Sequence, residues 1–256
     1  MTKIIGIIPA RMGASRFPGK PLAPILGRPM IEHCFQRAKM FERWDGLFLA
    51  TCDEEIRAFA ESKGYPVIMT SDSHTRALDR VAEAAEKCGI VLDESDIVLN
   101  VQGDEPMMDP DMIAATVKPF DDRDDVRGTI LAMDIVDEEQ FKNSDILKII
   151  HDLKDKVLYT SRSPIPYCKP GQFKPGHVRR IYGIFGFRWD FLKLFTELPE
   201  SPLELKEACD SNRLYDYGHH QHIAPIPYRA SFSVDSPADL ENVEAHMKDD
   251  PLWGKY

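Results

Sequence analysis

Long apolar runs are missing from this chain of 256 residues. The first one, Ile4–Ile8, is stopped by Pro9 and Arg11. It is too short to span a bilayer and lacks the layout of a secretory signal. Paired cysteines are missing too. Cys34, Cys52, Cys88, Cys168 and Cys209 form an odd set with no CxxC spacing. That pattern argues against a disulfide framework or a zinc site and for idle thiols in a reducing cytosol. Cations are in the minority, 32 Lys and Arg against 42 Asp and Glu, for a formal charge of −10. The chain therefore lacks the broad cationic surface a nucleic acid needs. A few local cations can still hold a small anionic substrate. Repeats, low-complexity tracts and long linkers are absent. The expectation is one cytoplasmic globular domain over residues 1–256, with no membrane or nucleic-acid partner.

The first half alternates strand and helix. Lys3–Pro9 reads as a buried strand, and a helix opens at Pro29 with Ile31, Phe35 and Ala38 on one face. Leu47–Thr51, Val67–Thr70 and Asp96–Val101 read as strands, with helices over Asp53–Lys63 and Ala77–Cys88 stopped by Gly64 and Gly89. Pro110 opens another helix. Apolar strands alternating with helices predict an α/β fold, a Rossmann-like, mostly parallel sheet with helices on both faces. Beyond residue 125 the pattern predicts an added antiparallel lobe. Its strands are Gly128–Val136, Ile146–His151, Val157–Ser161 and Ile181–Arg188, with a hairpin turn at Asp152–Asp155. A helix is expected from Ser201 to about Tyr217, a strand over Ser231–Val234, and a C-terminal helix after Ser236-Pro237.

The loop after the first strand carries Arg11, Arg16 and Lys20, with Gly13 and Gly19 among them. Open α/β sheets bind ligands at the carboxyl ends of their strands. Forked and point cations on a glycine-containing loop there suit a polyphosphate. The loop is not a Walker A motif. Five residues separate its glycines, and Pro21 follows Lys20 where Ser or Thr would hold magnesium.

Two aspartates sit where strands are expected to end, Asp104 and Asp235. Mg²⁺ needs only one or two carboxylates besides substrate phosphates, so the pair meets that requirement. Turn stabilisation for Asp104 and helix capping for Asp235 remain alternative roles. His219-His220-Gln221-His222 matches no zinc spacing, and Ser15 and Ser161 lack a partner base.

Pro9-Ala10-Arg11 with Phe17-Pro18-Gly19-Lys20-Pro21-Leu22 resembles the signature loop of the sugar-acid cytidylyltransferases, and most closely the 3-deoxy-manno-octulosonate (Kdo) cytidylyltransferase family. The similarity continues through His74 with Asp79-Arg80, Asn100-Val101-Gln102-Gly103-Asp104-Glu105-Pro106, Tyr159-Thr160-Ser161-Arg162, Ser201-Pro202-Leu203-Glu204 and Val234-Asp235-Ser236-Pro237-Ala238-Asp239-Leu240. It implies that residues 1–125 bind the nucleotide, that 126–235 form an acceptor and dimerisation lobe, and that 236–256 are a helix and tail. It implies a homodimer that attaches CMP from CTP to an acidic small molecule, releases pyrophosphate, and serves lipopolysaccharide or surface-polysaccharide synthesis. Arg11, Lys20 and Asp104 would be catalytic. Pro9, Ala10, Arg11, Arg16, Lys20, His74, Arg80 and Gln102 would bind the nucleotide. Arg76, Gln102, Arg162, Phe185 and Asp210 would bind the acceptor, with Arg162 meeting its acid group. Asp104 and Asp235 would hold Mg²⁺.

Departures from the family cluster on the acceptor side. Arg76-Ala77-Leu78 replace Ser-Gly-Thr, Ile181 and Phe185 replace a His and a Tyr, and Asp210-Ser211 replace Glu-Gln. The expected acceptor is therefore a sugar acid other than Kdo, or a phosphonate-bearing acid. Use of another NTP and a catalytically silent nucleotide-sugar sensor are the alternatives. The complete phosphate and metal set speaks against the silent one.

Overall fold

The computed structural model describes residues 2–13, 16–74, 76–230 and 232–256. Strand β1 (Ile4–Pro9) buries every residue before Pro9, which is why isoleucine occupies both of its faces. A two-residue hairpin, β2 (Pro24–Ile25) with β3 (Arg28–Pro29), leads into α1 (Met30–Lys39). Then come β4 (Gly46–Thr51), α2 (Glu54–Ser62), β5 (Val67–Met69), α3 (Ala77–Lys87), β6 (Ile97–Val101) and α4 (Pro110–Asp122). β1 pairs in parallel with β6 on one side and β4 on the other, and β4 pairs in parallel with β5. Helix α3 buries Leu78, Val81, Ala82 and Ala85, the spacing of one helical face. With all four strands parallel, the ends of β1, β4, β5 and β6 lie along one edge.

The remaining elements are β7 (Gly128–Asp134), α5 (Glu138–Lys142), β8 (Lys148–His151), β9 (Val157–Ser161), β10 (Arg179–Arg188), α6 (Trp189–Glu197), α7 (Pro202–Glu207), α8 (Ser211–Asp216), β11 (His222–Ile226) and α9 (Pro237–Met247). The chain divides into two compact units, one of Met1–Ile113 with Ala230–Tyr256, the other of Ala114–Arg229. In the second unit β7 pairs antiparallel with β10 and parallel with β11, β10 pairs antiparallel with β8, and β8 with β9. Parallel strands with interleaved helices and an added antiparallel section make the α/β class expected from the sequence.

Several local expectations change. The helix read from Ser201 to Tyr217 is two helices, parted at Ala208, whose φ of 48° is left-handed. Residues 232–234 form no strand, and Ser231 lies outside the described residues. Instead Val234 is buried with Ile25, Met30, Cys34, Met107, Val243 and Met247. Helix α6 was not anticipated, because its apolar residues continue those of β10 without a break. All five cysteines are free, as expected. No helix is long and apolar enough to cross a membrane among the described residues.

Candidate active site

The basic loop is tied down at both ends. Ala10 donates its amide to Ala50 O at 2.9 Å, one residue past β1. The Met12 amide bonds Asp53 Oδ2 at 2.7 Å, and Gly19 N closes the loop on Met12 O at 3.0 Å. Gly19 has φ of 76°, a left-handed turn that favours glycine and that feeds the single 3-10 turn Lys20–Leu22. Arg11 is exposed at this edge, and Gln102 is half-buried at the end of β6. Gly103 is required by close approach, since a Cβ there would lie 2.7 Å from Pro9 O. Ala14 and Ser15 lie outside the described residues.

Lys20 is mostly buried, its side chain 14% exposed. Its ammonium donates to Asp104 Oδ2 at 2.9 Å and to Val234 O at 2.8 Å, and lies 3.8 Å from Asp235 Oδ1. Arg16 pairs with the same Asp235 oxygen at 3.0 Å. The Val234 amide bonds Asp104 O at 3.0 Å, fastening the two aspartate-bearing segments together. Two carboxylates and two cations thus form one network. Asp235 has no capping duty. The amides of Asp235 and Ser236 both donate to Asp239 Oδ2, and Ser236 with Asp239 forms the capping box of α9. The Asp235 carboxylate is left for cations.

These carboxylates fit a hard divalent cation. They converge on one ammonium, and their oxygens are the donors Mg²⁺ takes. No group of three or more His, Cys, Asp or Glu side chains is gathered for a metal among the described residues.

Other expected nucleotide-binding residues have work inside the unit. Arg80 is buried and donates to Thr70 Oγ1 and Cys52 Sγ, joining the ends of β5 and β4. His74 shares Nε2 with Glu83, which also accepts from the Ser71 amide and Lys87. Burial pushes the Glu83 carboxyl up, but these three donors outweigh it and bring it down to about 2. Arg76 stands at the N-cap of α3, half-exposed.

Within the second unit, Arg162 follows β9. Its Nε donates to Glu207 O at 2.9 Å, its Nη1 to Ser144 O at 3.0 Å, and its amide to Glu207 Oε2 at 2.9 Å. Tyr159 and Ser161 donate to Glu207 Oε1 at 2.8 and 2.7 Å. Burial pushes Glu207 up, but its donors prevail and hold it below the usual carboxylate value. Nearby Lys148 is fully buried and donates to three carbonyls, those of Asn143, Ile146 and Arg162. Its own pKa is lowered by burial and then by repulsion from Arg162. Ile181 and Phe185 join an apolar cluster with Ile130, Ile149 and Ile223. Asp210, at the N-cap of α8, is half-exposed. Sequence reasoning missed Glu207 and Lys148, which sit in no motif, and nothing local marks them.

Comparison with known proteins places these residues in a wider setting. The chain matches the cytidylyltransferase family over residues 5–223. It is 40% identical over 238 residues to a 3-deoxy-manno-octulosonate cytidylyltransferase of Nitratidesulfovibrio vulgaris, covering 92% of each chain. It is 36% identical to an 8-amino-3,8-dideoxy-manno-octulosonate cytidylyltransferase of Shewanella baltica, covering 94% of this chain and 97% of the other. Its structure resembles that of a CMP:2-keto-3-deoxy-manno-octonic acid synthetase complexed with CTP. The TM-score is 0.87 at 32% identity, over 97% of this chain and 99% of the other.

Proposed function

The chain belongs to the cytidylyltransferase family, and from that we infer that it transfers CMP from CTP to a sugar acid and releases pyrophosphate. An acceptor oxygen attacks the α-phosphorus, forming a new P–O bond. The bond from that phosphorus to the β-phosphate oxygen breaks in line, and the hydroxyl proton leaves with solvent. Such chemistry is mostly positioning and neutralisation of charge. Lys20, Arg11 and Arg16 bind the triphosphate, with Lys20 exchanging its carboxylate partners for phosphate oxygens. Asp104 and Asp235 are the residues that would hold Mg²⁺. When bound, the ion would polarise the phosphoryl group and neutralise developing charge. Arg162 binds the acceptor's acid group.

One observation carries this reading more than any other: Asp104 and Asp235 converge on the Lys20 ammonium beside the parallel strand ends. The acceptor is a sugar acid other than Kdo, because apolar Ile181 and Phe185 stand where the family has polar groups that a polyhydroxylated acid needs. The test is pyrophosphate release with Mg²⁺, each NTP crossed with a panel of ulosonic, sialic and phosphonic acids. CTP with a sugar acid should be the productive combination. Release with no combination tried refutes the assignment.

A further inference from the structure

Resting on the cytidylyl-transfer reading above, we propose that Glu207 is a positioning residue that fixes Arg162 for the acceptor's acid group. A free arginine side chain has many rotamers, so a charge meant to receive one ligand oxygen needs outside support. Glu207 supplies it from the last position of α7. Its two carboxylate oxygens take three donors: the Tyr159 hydroxyl, the Ser161 hydroxyl and the Arg162 amide. Its carbonyl takes Arg162 Nε, while Ser144 O takes Nη1. The backbone and the inner edge of Arg162 are thereby held, and Nη2 makes no hydrogen bond with a described residue. That nitrogen is left for an anion.

The surrounding charge agrees. Lys148 on β8 stands opposite Arg180 on β10 in register, and both Arg162 and Arg180 repel the Lys148 ammonium. Three cations meet one carboxylate, in a chain with a formal charge of −10. A local cationic excess of this kind suits an acid ligand. Glu207 must be a carboxylate. Glutamine would place an amide nitrogen against one of three donors, leaving donor facing donor.

The experiment is steady-state pyrophosphate release with CTP, Mg²⁺ and the sugar acid that gives the highest kcat/KM in the panel of ulosonic, sialic and phosphonic acids, which includes 3-deoxy-manno-octulosonate and its 8-amino-8-deoxy analogue. Glu207→Gln should raise KM for the acid by ~10-fold or more, with KM for CTP changed by less than about twofold. Tyr159→Phe and Ser161→Ala remove one donor each and should give smaller rises in the same direction, with folding followed by thermal unfolding. In an Arg162→Ala background, Glu207→Gln should add nothing, because it acts through Arg162. Equal rises in both KM values, or additive effects in the double variant, overturn the positioning role. Should the wild-type protein release no pyrophosphate with any acid of the panel, the cytidylyl-transfer reading itself fails, a result distinct from these.

Discussion

Lys20 occupies the point toward which both candidate metal ligands turn. Removing either aspartate removes a carboxylate with no role in holding a helix end, because Asp239 and Ser236 cap α9. Asp104→Ala and Asp235→Ala should each lower turnover by ~10²-fold or more while CD shows an intact fold. Near-normal turnover in Asp235→Ala would end its role as a metal ligand. Lys20→Ala should weaken CTP use and turnover together. Lys20→Arg should restore little, since a planar fork cannot replace a point charge donating at once to Asp104 and Val234 O. Kinetics with CTP varied at fixed acid decide the matter. The basic loop and both aspartates were legible because short motifs announced them. The motif containing Arg80 gives no sign that its guanidinium also joins Thr70 and Cys52. Burial of that kind depends on neighbours distant in sequence.

Elements carry two further predictions. Between α7 and α8, Ala208 holds a left-handed backbone with φ of 48°, which costs a residue bearing a Cβ. Ala208→Gly should stabilise the protein by about 1 kcal/mol in urea unfolding, and unchanged or reduced stability would contradict the strain. The sequence suggested one helix here because Ser201-Pro202-Leu203-Glu204 starts it well and Gly218 ends it well. Nothing between them signals a break. Glu83 links the end of β5 to α3, accepting from Ser71, His74 and Lys87. A carboxyl held down in the fold stays ionised to lower pH than in the unfolded chain, where 4.5 is ordinary. Its stabilisation is full above that value and lost as pH falls toward about 2. Glu83→Gln should therefore cost about 1–2 kcal/mol at neutral pH and progressively less below pH 4.5. Chemical unfolding of both proteins across that window is the measurement, and a difference independent of pH would remove the carboxylate as its source.

For the whole molecule, the departures from the family pattern are unevenly spread. The basic-loop and aspartate motifs keep that pattern, whereas Ile181 and Phe185 depart from it and pack into an apolar cluster of the second unit. Several mismatched hydrogen bonds in a polar site discriminate strongly, so kcat/KM for Kdo should fall ~10³-fold or more below that of the best sugar acid. Equal efficiency would mean that these positions do not meet the acceptor. In the first half of the chain, strand and helix order, the parallel sheet and the chemistry-bearing loops could be read along the sequence, whereas in the second half α6 and the break between α7 and α8 could not. Each is written in a local period or motif that neighbouring residues impose on one another. The meeting of Asp235 with Asp104 could not. It depends on Val234, Val243 and Met247 packing with Ile25, Met30 and Met107, contacts that join remote segments and leave no local pattern. Glu207 is the same case in the second unit. Its partners come from β9 and the Arg162 backbone, and only the packing of α7 beside that strand end makes it a ligand for three donors.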